Sequence, residues 1–146
     1  MPGNSGMTRE TTVEVPLGGG TNGETIRFEI GEEDGACRLR ASYRDQVIDL
    51  MGPDFFTALS QVRNILASSG LHPICYGASL DVYCIDPIKA TDKGLTAYQL
   101  TMGQPPEEAD IVETFACGPD VCTATVVDQT KYFQQWLDSV NAQPSA

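Results

Sequence analysis

At 146 residues, 41% hydrophobic and 20% charged, the chain carries enough apolar mass for one core and too much to stay disordered. Twenty acidic and nine basic side chains leave a net charge of −11, which argues against nucleic-acid and anionic-membrane partners and for a basic protein partner. No stretch reaches the ~20 apolar residues of a membrane helix, and the opening "MPGNSGMTRE" lacks the apolar run of a signal peptide, so the chain reads as cytoplasmic, with its five cysteines kept as thiols.

The expected organisation is a flexible N-terminus (1–10), one α+β domain (11–142) and a flexible C-terminus (143–146). "TTVEVPL" alternates, with Val13, Val15 and Leu17 on one side. The glycine-rich "GGGTNGE" then turns the chain. "ETIRFEIGE" puts Ile26, Phe28 and Ile30 on one face, "EEDG" turns, and "ACRLRASY" repeats the pattern through Cys37, Leu39, Ala41 and Tyr43. "DQVIDL" adds a fourth short strand. Period two with short turns predicts an antiparallel meander, each strand burying one face.

The period then changes. Phe55, Leu59, Val62 and Leu66 fall on one helical face, with Phe56 and Ile65 beside them. This predicts a helix over about 53–69, with Pro53 in its first turn and Gly70 at its end. "HPICYGASLDVYC" (72–84) reads as a strand or as a hairpin bent near Gly77 to Ser79. "IDPIKATDKG" is a loop and "LTAYQLTM" another strand, with Leu95 and Ala97 opposite Tyr98 and Leu100. "ADIVETFA" reads as a short helix or an extended segment, the helix being preferred, and "CGPDVCTATVV" as a turn and a strand. Asp128 is expected to cap a last helix over about 128–141, which turns Phe133, Trp136, Leu137 and Val140 to one side. The fold class is α+β: one antiparallel sheet of about five to seven strands against two main helices.

Catalytic patterns are sparse. His72 is the only histidine, and in a strand it faces away from Cys75, three residues on. Cys75 and Cys84 read as core residues. Cys117 and Cys122 flank a Gly-Pro turn, a spacing that permits a disulfide but departs from a redox or zinc motif. There is no P-loop and no nucleophile elbow. No catalytic, metal or cofactor residue is therefore assigned.

Charge is the stronger signal. Residues 101–128 hold Glu107, Glu108, Asp110, Glu113, Asp120 and Asp128 without one Lys or Arg. Glu32, Glu33 and Asp34 form a second cluster at a turn. Together they describe an acidic face for a basic partner, with Tyr83, Tyr98 and Phe115 as candidate anchors.

Gly77-Ala78, Val82-Tyr83, Gly94, Ala97-Tyr98 and Asp110-Ile111-Val112 with Phe115 follow one another between residues 70 and 115. This order resembles a group of short bacterial proteins, and the size, acidity and setting are similar to those of immunity partners of polymorphic or type VI secreted toxins. The resemblance implies a non-enzymatic inhibitor that binds a cognate toxin, one with a basic active-site cleft, through its acidic surface. No cofactor is expected, and the chain is expected to be a monomer or weak dimer. Two alternatives come from the residues themselves. One is a metal- or thiol-dependent enzyme or sensor using Cys117, Cys122, Cys75 and His72. The other is an adaptor subunit of a larger assembly.

Overall fold

The computed structural model describes residues 8–85 and 92–141. Its first four strands follow the alternation: β1 (Thr8–Gly18), β2 (Thr25–Glu33), β3 (Ala36–Tyr43) and β4 (Gln46–Gly52). β1 begins inside the segment expected to be flexible. Residues 1–7 and 142–146, and most of the 85–94 loop, lie outside the described residues.

Two-residue turns close two of the hairpins. Asp34 and Gly35 (φ 54° and 82°) join β2 to β3, and Arg44 and Asp45 (φ 49° and 62°) join β3 to β4. Positive φ at both central positions matches the right-handed twist of the strands. Arg44 is unusual there, and a bidentate pair with Glu24, at 2.6 and 2.7 Å, holds it.

β4-β3-β2-β1 continue into β5 (His72–Pro73), giving a five-stranded antiparallel sheet. Its inner face buries Val15, Leu17, Ile26, Phe28, Ile30, Cys37, Leu39 and Ala41. Across it lies α1 (Phe55–Ala67), which presents Phe55, Leu59, Val62 and Leu66 to the same core, whereas Ile65 faces solvent. Truncating a side chain as buried as Leu59, 1% exposed, costs about 2–5 kcal/mol. Asp54 caps α1 by accepting the Thr57 N–H at 2.7 Å, so Pro53 precedes the helix rather than opening it. Leu71 N–H reaches Leu66 O and Gly70 N–H reaches Ala67 O, with Gly70 at φ 73°, a Schellman end.

The second half departs from expectation. Residues 72–84 are not one strand: β5 is followed by a 3₁₀ turn (Tyr76–Ala78) and then β6 (Val82–Tyr83). β6, β7 (Thr96–Gln99) and β8 (Ile111–Glu113) form a separate three-stranded antiparallel sheet. The helix expected in "ADIVETFA" is a 3₁₀ turn (Glu108–Asp110) running into β8, because Glu107 and Asp110 cap each other's backbone N–H across it. "TATVV" forms no strand. α2 (Val126–Asn141) starts two residues before Asp128, and the Thr125 hydroxyl accepts the Asp128 N–H at 3.1 Å. Thr125 is therefore the cap, and Asp128 sits in the first turn. No helix among the described residues is long and apolar enough to cross a membrane.

Candidate functional site

The two sheets meet over a cleft of about 570 Å³. Its floor is apolar: Val13 and Ile30 from the large sheet, Phe55 from the start of α1, and Leu95 and Phe115 beside the small sheet. Its rim carries three carboxylates, Glu32 of β2, Asp92 before β7 and Glu113 of β8. Both acidic stretches of the sequence thus send one member to the same opening.

Local geometry explains the opening. The β1–β2 register shifts between Thr8 and Thr11, so β1 bulges beside Gly31 and Glu32. On the far side Phe55 N–H donates to Lys93 O at 2.7 Å, fixing the 92–95 turn over the start of α1. Gly94 lies against Phe56 there: a Cβ would sit 2.8 Å from the Phe56 nitrogen. Thr114 Oγ1 donates to Gly94 O at 2.7 Å and holds β8 to this turn.

The rim is unevenly neutralised. Glu32 Oε1 lies 3.4 Å from Lys93 Nζ, a half-exposed pair. Asp92 accepts the Thr96 hydroxyl and, at 3.2 Å, the Gly94 N–H. Glu113 is exposed, and its side chain makes no hydrogen bond or ion pair among the described residues. Among the described residues one ammonium, that of Lys93, faces three carboxylates above an apolar floor, an arrangement that favours a cation with an apolar stem.

The other expected acids lie elsewhere. Glu33 pairs with Arg38, and Asp34 forms the β2–β3 turn. Glu107, Glu108 and Asp110 form the 3₁₀ turn before β8. Both oxygens of Asp120 are engaged internally, by Tyr76 OH at 2.6 Å and Gln99 Nε2 at 3.0 Å, and these bonds hold its carboxyl below the usual range. Asp120 thus anchors its own loop. Asp92, outside the expected set, joins the rim through the tight turn that "DKG" signals.

The expected anchors separate too. Phe115 is 4% exposed and packs edge-on against Phe28 at 5.2 Å, so it belongs to the core and closes the cleft floor. Tyr83 and Tyr98 are direct partners across β6 and β7, with Ile111 opposite Tyr98 on β8. Tyr83 also stacks on Phe133 at 4.1 Å, which docks α2 on the small sheet.

Cys75 is fully buried, and desolvation pushes its thiol up to about 12. His72 pairs with Gly18 across β1 and β5, its ring so close that a Cβ on Gly18 would lie 2.3 Å from Nε2. Cys84 is buried, whereas Cys117 and Cys122 are exposed free thiols. Among the described residues no group of three or more His, Cys, Asp or Glu side chains is placed to hold a metal ion. In comparisons with known proteins, no family model matches the chain and no curated protein matches its sequence.

Proposed function

We propose that this chain is a non-enzymatic inhibitor of the immunity type, which binds a cognate bacterial toxin by receiving one of its basic side chains in the cleft. The supporting observation is the convergence of Glu32, Asp92 and Glu113 on an apolar floor. A Lys or Arg of the partner lays its methylene stem on Leu95 and Phe115 and its charged head between the carboxylates. A basic residue taken from a toxin's active site is then withheld from its substrate. The net charge of −11 speeds encounter with such a surface.

The test begins with capture of partners on the tagged chain in the cells that make it. The captured protein is then purified and its activity titrated with the chain. Stoichiometric inhibition is expected, with affinity lowered at least about tenfold for Glu32→Lys/Glu113→Lys. A captured protein whose activity the chain leaves unchanged would refute inhibition. Full affinity in the folded double variant would move the binding face away from the cleft.

A further inference from the structure

The large sheet has two edges of unequal length. One is β5, two residues long and ending in Pro73, and the other is β4, seven residues long. The two-residue turn at Arg44 and Asp45 makes Tyr43 and Gln46 a hydrogen-bonded pair, and the β3–β4 register then runs without a bulge to Gly52. Every second residue of β4 therefore turns its backbone away from β3. The N–H and C=O of Val47, Asp49 and Met51 point out of the sheet edge. They have no hydrogen-bond partner among the described residues.

This edge lacks the usual guards against strand addition: residues 46–52 contain no Lys and no Pro. Val47 and Met51 are 59% and 47% exposed on the outer face, and Ile48 and Leu50 are only half-buried on the inner one. The single charge of the strand is already answered. Arg38 clasps Asp49 through two hydrogen bonds, at 2.7 and 3.0 Å, and Arg40 Nε reaches it at 3.4 Å. In a chain of net charge −11, β4 is a strip where a second copy meets apolar side chains and a neutralised carboxylate.

We infer that β4 is the interface of a two-fold dimer, in which it pairs antiparallel with β4 of a second copy about Asp49. The strand matches itself in that register. Val47 lies opposite Met51 of the second copy on the outer face, and Ile48 opposite Leu50 of the second copy on the inner face. Val47, Asp49 and Met51 then meet as hydrogen-bonded pairs, which makes about six N–H···O bonds between the copies. A slip of one residue would set inner side chains against outer ones, and a slip of two would leave Val47 or Met51 without its apolar partner. The two Asp49 carboxylates meet between Arg38 and Arg40 of one copy and the same pair of the other. Pairing uses up the long edge, and β5 is too short to recruit another strand, so the assembly closes as a dimer with one continuous sheet. No residue lining the acidic cleft lies on β4, and the dimer does not depend on the inhibitor reading.

The test is sedimentation velocity of the full chain from about 10 μM to about 1 mM, with amide hydrogen exchange at both ends of the range. A monomer–dimer equilibrium is expected. The amides of Ile48 and Leu50 face β3 and should be protected at every concentration, whereas exchange at Val47, Asp49 and Met51 should slow severalfold only where the dimer forms. Val47→Lys places a charge on the edge, and Met51→Pro removes an outward N–H while sparing the bonds to β3. Each should weaken the dimer at least about tenfold. A monomer across the range, a dimer of full affinity in either folded variant, or exchange at positions 47, 49 and 51 that ignores concentration would overturn the assignment.

Discussion

Arg63 of α1 and Gln129 of α2 meet at 2.7 Å inside the protein, and both are buried. Gln129 Nε2 also lies 2.9 Å from the carbonyls of Gly77, Ser79 and Val82. One amide thus serves three carbonyls between the 3₁₀ turn and β6. Gln129→Ala removes a donor from Ser79 O and Val82 O, leaves Gly77 O to Arg63 and takes an acceptor from a buried cation, at a cost of about 3 kcal/mol. Urea unfolding measures it. A loss under about 1 kcal/mol would mean that water or a shifted Arg63 replaces the amide.

Two glycines separate backbone strain from crowding. Gly23 and Gly94 have nearly equal left-handed φ, 89° and 92°. A Cβ on Gly23 meets nothing within 4 Å, whereas on Gly94 it meets the Phe56 backbone. Gly23→Ala should cost about 1 kcal/mol, the conformational term alone. Gly94→Ala should cost about 3 kcal/mol, because the start of α1 and the cleft floor must shift. Equal losses in thermal unfolding would show that the 92–95 turn yields freely.

The contrast between the halves has a physical source. β2 and β3 bury one face and β4 half-buries Ile48 and Leu50 on its own, so Ile26, Phe28 and Ile30 announce their strand by spacing. Residues 72–84 are enclosed on more than one side and show no period. Gly77 fits only because it lacks a side chain, with Leu59 and Thr114 within 2.7 Å of a virtual Cβ. Its backbone partner is Thr114, distant in sequence. The β-branched "TATVV" suggested a strand, but the Thr125 cap and the docking of Tyr83 on Phe133 outweigh that preference. The acidic runs were legible as charge, while the meeting of Glu32 with Glu113 depends on two sheets whose arrangement no spacing encodes. Asp120, part of the same run, is consumed by Tyr76 and Gln99.

Glu24 sets one part of the acid response. Its pairing with Arg44 and the Thr21 N–H lowers its carboxyl from 4.5 to about 2. A lowered folded value stabilises the fold above the unfolded value, and that contribution fades as pH falls from 4.5 toward 2. Glu24→Gln should unfold at lower urea than the parent at neutral pH, with the gap closing across this window. The slope left in the variant comes from Asp49 and Asp120, both lowered by their own hydrogen-bond partners. A gap that stays constant with pH would show that Glu24 acts by packing alone.

Thiol labelling tests whether the 72–84 region is as closed as it is drawn. Cys117 and Cys122 are exposed, and Cys37, Cys75 and Cys84 are buried. The thiolate is the reacting species, and burial raises Cys75 to about 12 and pushes Cys37 upward. N-ethylmaleimide should therefore modify two cysteines of the folded protein quickly and all five after denaturation. Mass spectrometry of the digest assigns each site. The slow three then report opening of the core, at a rate that Gln129→Ala should increase. Fast native labelling of Cys75 would mean that the turn beneath Gly77 opens readily, and it would return Cys75 to consideration as a reactive thiol.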